Sequence, residues 1–484
     1  MEAHEQDTIR TRIPARMDRL PWCSWHWLVV LGLGTVWILD GLEVTIVGSI
    51  GARLTEKDAL GITTSQLGLA GTIYVIGAAT GALFWGHLTD RFGRKKLFLI
   101  TLGVYLLATV ATAFAGSFAF FAVCRFFTGF GIGGEYAAIN SAIDELIPAR
   151  VRGWVDLAIN GSYWLGAAFG AAVTPILLNP DLLDADVGWR LTFGMGAVLA
   201  LGILLVRRNV PESPRWLALH GRNDEAERIV SDIEQHVKDA TDRNELPEAR
   251  DEIELQPRES TGFGEIARTM FGRYPRRSIL GFTLMSTQAF IYNATVFTFT
   301  AGLVTFYKVS AETAPLYLVP FAIANFLGAL LLGRFFDTIG RRAMIAGTYF
   351  ISAVGLVAAG VLFKNDSVSV GVFVAILCAT FFFASAAASA GYLTISETFP
   401  IEIRAMAIAF FFAISTGIGG AVGPGLFGKM IESGDRGQLF IGYLVAAGLM
   451  AIAAVVEVLL GVDAEQETLE DVAEPLSAEE AAHA

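Results

Sequence analysis

Two stretches decide the fold: Gly86-His87-Leu88-Thr89-Asp90-Arg91-Phe92-Gly93-Arg94-Lys95 and Gly333-Arg334-Phe335-Phe336-Asp337-Thr338-Ile339-Gly340-Arg341-Arg342. The second keeps the spacing of the first, 247 residues later. Another motif repeats at nearly the same offset. Glu145, Pro148 and Arg152 recur as Glu397, Pro400 and Arg404, 252 residues on. Two independent motifs at one offset, about half the 484-residue chain, imply two parallel halves with a substrate site between them.

The sequence around these motifs is apolar. Hydrophobic residues make up 54% of the chain and charged residues 17%, whereas soluble chains carry about a quarter charged. The apolar residues fall in runs of about 20, enough to span about 30 Å of hydrocarbon as helix. Backbone groups in lipid have no water to bond, so such runs must be helical. The runs are 25–50, 66–86, 96–115, 118–141, 153–178, 189–207, 279–306, 314–334, 343–363, 368–393, 405–430 and 437–461. The predicted fold is an all-α membrane protein, with twelve transmembrane helices in two pseudo-symmetric six-helix bundles. Its predicted units are an N-terminal segment 1–24, bundles 25–207 and 279–461, a central loop 208–278 with short helices, and a disordered acidic tail 462–484. The first run follows four Arg, is too long for a signal h-region and lacks a small-x-small cleavage site, so it is expected to remain as a helix.

Lys and Arg sort between alternate loops. One side receives 27 of the 35, including 13 in the stretch 207–277; the other receives seven, and Arg125 lies within a run. The positive-inside rule then predicts both termini and the central loop in the cytoplasm of a multi-pass cell-membrane protein. In the central loop, Asp224–Lys238 and Gly264–Gly272 read as helical, and the Arg273, Arg276, Arg277 cluster is expected to rest at the headgroups. The net charge of −12 is concentrated in that loop and in the tail, which holds eight acids and no Lys or Arg after Gly461. That distribution argues against nucleic-acid binding. Cys23, Cys124 and Cys378 support neither a disulfide framework nor a metal site.

With these residues in view, the chain resembles the major facilitator superfamily, and within it the sugar porter and metabolite:proton symporter branch. The Asp90/Gly93/Arg94 loop and its echo at Asp337/Gly340/Arg341 are similar to the superfamily's signature loop. Arg125 through Gly129, Gly133, Gly134 and Glu135 resembles the branch's fourth-helix motif, and Pro211-Glu212-Ser213-Pro214-Arg215-Trp216-Leu217 its signature after the sixth helix. The chain departs from hexose carriers at Thr287, Ala388-Ser389, Tyr392 and Ala167, so a ring of hydroxyl-binding amides is incomplete. Asp40-Gly41-Leu42-Glu43 is similar to the acidic pair of aromatic-acid:proton symporters. The resemblance implies alternating access, with Glu43 as the proton site paired to Arg125.

Residue chemistry adds to this. Asp40 and Glu43, three apart on a helix, share a face. A mid-span carboxylate is costly unless it meets a cavity or a partner. Arg125 stays protonated and needs a counter-charge. Proton coupling is therefore assigned to Asp40, Glu43, Arg125 and Glu135. Asn160, Tyr163, Trp164, Gln288, Tyr292, Asn293, Asn325 and Tyr392 are the candidate substrate-binding groups. Asp90, Gly93, Arg94, Glu145, Arg152, Glu212, Arg215, Asp337, Gly340, Arg341, Glu397 and Arg404 are the candidate cytoplasmic gate, which the resemblance implies holds the outward-open state. The glycines at 129–134 match a dinucleotide fingerprint, but no strand precedes them; close helix packing is the better reading. No phosphate-binding Gly-x-x-x-x-Gly-Lys-Ser/Thr exists, and no nucleophile–base pair or metal cluster marks an enzyme. The expected function is secondary transport, as proton symport of an organic or aromatic acid or a sugar-like solute. A uniporter of a sugar-like solute and a non-transporting sensor are the alternatives. No cofactor beyond the coupling proton is expected. The expected partners are a small-molecule substrate and membrane lipid, with no nucleic acid, and the chain is expected to act as a monomer.

Overall fold

The computed structural model describes residues 9–179, 181–207, 211–249, 252–255, 261–310 and 313–478. Twelve helical segments follow the apolar runs: α1 (Ser24–Leu54), α2 (Thr64–Phe92), α3 (Arg94–Ala113), α4 (Phe118–Leu146), α5 (Arg152–Gly161 and Tyr163–Leu177), α6 (Ala185–Arg207), α7 (Pro275–Tyr307), α8 (Leu318–Thr338), α9 (Arg341–Lys364), α10 (Val370–Thr398), α11 (Arg404–Ser415 and Ala421–Glu432) and α12 (Arg436–Leu460). Nine of the described segments are long and apolar enough to cross a membrane, and α7, bent by 47°, makes a tenth. The other two, α4 and α5, are diluted by buried polar groups. Arg125, Glu135, Asp144 and Glu145 lie on α4, and Arg152, Asp156 and Asn160 on α5. These groups turn inward, so low hydropathy here marks the functional core.

The helices pack as two bundles, α1–α6 and α7–α12, which meet along α2/α11, α4/α11, α5/α8 and α5/α10. Three helices are irregular at this boundary. In α5, Ser162 turns its hydroxyl onto the carbonyls of Ile159 (2.6 Å) and Gly34 (2.9 Å). In α11, a π-helical turn covers Thr416–Gly420. The α7 bend falls between Val296 and Thr298. Breaks of this kind are tolerated in a membrane where the backbone lines a cavity. At Gly41 a side chain would collide with the Tyr163 carbonyl, so this glycine lets α1 and α5 touch.

Both terminal segments and the central loop gather at one face, here the terminal face. The central-loop helix spans Asn223–Thr241, longer than expected at both ends, and buries Ala226, Val230, Ile233 and Val237. The second predicted stretch is helical over Phe263–Ala267 and continues as a π-helical turn, Arg268–Arg273. A strand pair absent from the sequence reading, Ile9–Thr11 with Ile253–Leu255, ties the N-terminal segment to the loop. The basic cluster is not wholly at the surface: Arg277 donates to the carbonyls of Thr398 (2.6 Å) and Val472 (2.8 Å).

The acidic tail is corrected most. Through residue 478 it lies ordered on the terminal face; 479–484 fall outside the described residues. Glu465 accepts the Arg341 N–H (3.2 Å) at the start of α9. Glu212 accepts the Arg94 N–H (2.9 Å) at the start of α3. Each half thus ends in a glutamate that caps the helix following its own signature glycine, where backbone N–H groups have no partner within the helix and the helix dipole favours an anion. The tail's charge had suggested solvation; its acids are instead met by these N–H groups and by buried guanidiniums, and Leu469 and Leu476 are buried beneath it.

Candidate functional site

Between the bundles lies a cavity of about 160 Å³. Of the predicted substrate-binding groups, Asn160, Tyr163, Trp164, Gln288, Tyr292, Asn293 and Tyr392 line it. Asn325 does not. It is buried behind the wall and accepts the Tyr292 hydroxyl (2.9 Å), so it orients a lining residue. The sequence reading missed Trp37, Tyr74, Tyr136 and Phe412, which line the cavity with Ser385, Ser389 and Thr416. Their rings pack in series: Trp37 lies 4.7 Å from Tyr136 and 5.4 Å from Tyr392, and Tyr136 lies 4.5 Å from Phe412. In sequence they are indistinguishable from the aromatic filling of any apolar helix.

The structure separates the two acids of α1. Asp40 lines the cavity and accepts the hydroxyls of Tyr74 (3.4 Å) and Tyr136. Among the described lining residues there is no Lys, Arg or His. Glu43 is held away from the cavity. Its Oε1 accepts Arg125 Nη1 at 2.6 Å and its Oε2 accepts the Tyr105 hydroxyl at 2.7 Å. Arg125 also donates to Thr112 (2.8 Å) and Thr128 (3.1 Å), with its guanidinium 4.7 Å from the Phe193 ring. Glu43 and Arg125 therefore form a closed ion pair that clamps α1 to α4, while Asp40 is the acid that the cavity meets. Glu135 is buried on α4 and is not among the lining residues.

All twelve candidate gate residues lie at the terminal face. Asp90 accepts the Met406 N–H (3.0 Å) across the halves, and Asp337 accepts those of Gly153 (2.9 Å) and Trp154 (2.7 Å). Arg94 pairs with Glu145 (2.9 Å), and Arg341 pairs with Glu397 (3.0 Å) and Asp337 (2.9 Å). Two links cross over symmetrically: Arg404 to Glu145 (3.5 Å) and Arg152 to Glu397 (3.8 Å). Arg215 joins Asp18 (2.5 Å) to Glu470 (3.0 Å) of the tail. At Gly93 and Gly340 φ is +98° and +120°, backbone that disfavours any side chain. Arg94, Arg152, Arg404, Glu145 and Glu397 are all buried, so these pairs escape the solvent screening that holds exposed ion pairs to about 0–1 kcal/mol. The terminal face is closed.

Two bundles around a central cavity, sealed at one face by inter-half bonds, define a membrane solute carrier of the major facilitator fold, a transporter and not an enzyme. The chain belongs to the sugar (and other) transporter family, whose model matches residues 41–475. It is similar to a niacin transporter of Acinetobacter baylyi, 29% identical over 459 residues covering 95% of this chain and 99% of that protein. It is also similar to a D-xylose transporter of Levilactobacillus brevis, 26% identical over 428 residues covering 86% and 88%. Among solved structures, the proton:xylose symporter XylE bound to 6-bromo-6-deoxy-D-glucose superposes with a TM-score of 0.75 at 21% identity, covering 93% of this chain and 98% of that one.

Proposed function

We propose that this carrier is a proton-coupled symporter of a small, single-ring organic metabolite, with an aromatic or heteroaromatic acid favoured over a sugar, and with the terminal face in the cytoplasm. One observation carries the reading: Asp40 is the carboxylate of an aromatic cavity that no described cation lines. A cavity of about 150 Å³ holds one benzene ring, and faces of Trp and Tyr favour flat rings. An anionic substrate beside ionised Asp40 would be repelled, and an uncompensated charge sealed from water costs several kcal/mol. One proton shared between Asp40 and the substrate carboxylate removes the repulsion and leaves a single negative charge spread over both acids, to which the Tyr74 and Tyr136 hydroxyls donate, so substrate and proton enter together. When the cytoplasmic gate opens, water solvates both acids and the proton leaves. The niacin-transporting relative supports an acid on one ring; Asn160, Gln288 and Asn293 would bond its polar edge. The Lys/Arg distribution supports a plasma-membrane protein with both termini inside, and a cavity lined by both bundles of one chain supports a monomer.

The test has two stages. Nicotinate, benzoate, D-xylose and myo-inositol are screened for thermal stabilisation of the purified protein, since ligand at 100 times Kd adds about 2.7 kcal/mol. Hits are then followed as radiolabel into proteoliposomes with an inward proton gradient. Stabilisation by nicotinate or benzoate and gradient-driven accumulation are expected. Stabilisation by the sugars alone, uptake indifferent to the gradient, or binding without flux would each overturn the reading.

A further inference from the structure

Beneath the cavity lies a pair of acids that no motif marks. Asn140 on α4 and Asn160 on α5 are hydrogen-bonded to each other (3.1 Å) at the cavity floor. The helices run in opposite directions, so four residues further toward the terminal face bring Asp144 on α4 and Asp156 on α5. Four residues of helix rise about 6 Å, which places this acid layer between the cavity and the ion-pair layer of Glu145, Arg152 and Glu397. Both aspartates are 0% exposed. None of their four carboxylate oxygens has a hydrogen bond of good geometry among the described residues; Ser396 near Asp144 and Asn160 near Asp156 are within looser reach, with their bonds directed to the carbonyls of Leu393 and Asp156.

The charges around them are taken. Asp144 is influenced by Arg152, Glu397 and Arg404, with Ser396 beside it; Asp156 by Asp144, Glu397 and Arg341, with Asn160 beside it. Arg341 is spent on Glu397 and Asp337, Arg404 on Glu145, and Arg152 on Asp18 (3.2 Å) and Glu397. Glu470 of the tail and Arg215 after α6 pair with each other. Two adjacent carboxylates, dry and without a cation of their own, cannot both be ionised at reasonable cost.

We propose that Asp144 and Asp156 are a second proton-binding site, one that must be loaded for the cytoplasmic gate to close and that empties into the cytoplasm when the gate opens. The inference rests on the alternating-access reading above, but not on the identity of the substrate or on Asp40. Closing the gate brings α4 and α5 against α8, α10 and α11, excludes water and takes up protons. Opening it hydrates the layer and releases them. Acid favours the closed gate, and each proton taken up shifts the closed-to-open ratio by up to about tenfold per pH unit.

Double electron–electron resonance between spin labels at Lys96→Cys and Thr338→Cys, exposed on the terminal face of either half, reads the gate without substrate. The native cysteines are replaced in this background. The short-distance, closed population is expected to rise between pH 8 and pH 5.5. Asp144→Asn/Asp156→Asn is expected to stay closed with that pH dependence abolished, while Asp40→Asn keeps it. Unchanged pH dependence in the double variant would overturn the proposal. Should the double variant not fold, each single variant is expected to retain at most half of the wild-type slope, and a full slope in both overturns it equally. Failure of substrate uptake alone would strike the symport reading and leave this distance measurement standing.

Discussion

Glu43→Gln probes the clamp between α1 and α4. It leaves the Arg125 guanidinium, 1% exposed, without a counter-charge. Removing one partner of a buried pair costs about 3–5 kcal/mol. Glutamine keeps an acceptor for the Arg125 donor now at 2.6 Å and an amide within reach of Tyr105. Thr112, Thr128 and the Phe193 ring stay in place. The expected loss is therefore at the low end, about 3 kcal/mol. For a bundle of about 180 residues that is a fall of about 6–12 °C in melting temperature, at about 2–4 °C per kcal/mol. Arg125→Met strands the carboxylate instead. The double variant holds no stranded charge and is expected to be about 2–3 kcal/mol more stable than the sum of the single losses predicts. The assay is thermal unfolding in detergent at one scan rate, because membrane-protein unfolding is irreversible. A Glu43→Gln protein that melts with the wild type, or a strictly additive double variant, would refute the clamp.

Other consequences follow from the terminal face. Asp337→Asn weakens two inter-half bonds to the Gly153 and Trp154 N–H groups; at about 1.5–3 kcal/mol for a charge-assisted bond, the gate is expected to open at least tenfold more often, read by the same spin-label distance. Deleting residues 464–484 removes the Glu465 cap, the Glu470–Arg215 pair and the Ser477–Glu402 bonds, and is expected to lower the melting temperature and raise the open population together. Gly93→Ala forces a side chain to φ +98° and against the Glu212 carboxylate, costing about 1–3 kcal/mol in thermal stability, whereas Gly103→Ala, with open space around it inside α3, is neutral or stabilising. Burial alone would raise the Glu234 carboxyl, but its bonds to Arg16 and Arg19 outweigh that and hold it below 4.5. The stabilisation is thus complete above pH 4.5 and fades as pH falls below it; proteolysis of the N-terminal segment is expected to quicken in acid, and Glu234→Gln to quicken it already at pH 7.

The repeat of Asp90-x-x-Gly93-Arg94 at Asp337-x-x-Gly340-Arg341 made the two-half plan legible, because a backbone at positive φ and a capped helix start each demand particular residues. Glu43 and Arg125 were legible as a pair because a mid-span guanidinium needs an anion, and the structure sets them 2.6 Å apart. The division of labour between Asp40 and Glu43 was not legible. They sit three residues apart on one helix, and only the packing of Tyr105 against one and Tyr136 against the other tells them apart. Asp144 escaped notice because it falls beyond the 118–141 run, beside Glu145, and Asp156 because it lies within a turn of the start of the 153–178 run, where an acid reads as a helix-end group; the turn count from Asn140 and Asn160 appears only once α4 and α5 are aligned. The tail misled through its charge, whose partners are contributed by residues more than a hundred positions away.

The central claim is that Asp40 carries the proton that travels with the substrate. Its most direct test is proton flux: proteoliposomes holding a pH-sensitive dye are given an outside pulse of the substrate found by the screen, with wild type and Asp40→Asn compared. Wild type is expected to acidify the lumen as substrate enters, and Asp40→Asn to exchange labelled for unlabelled substrate with no acidification. Acidification by Asp40→Asn at the wild-type ratio of proton to substrate would contradict the account.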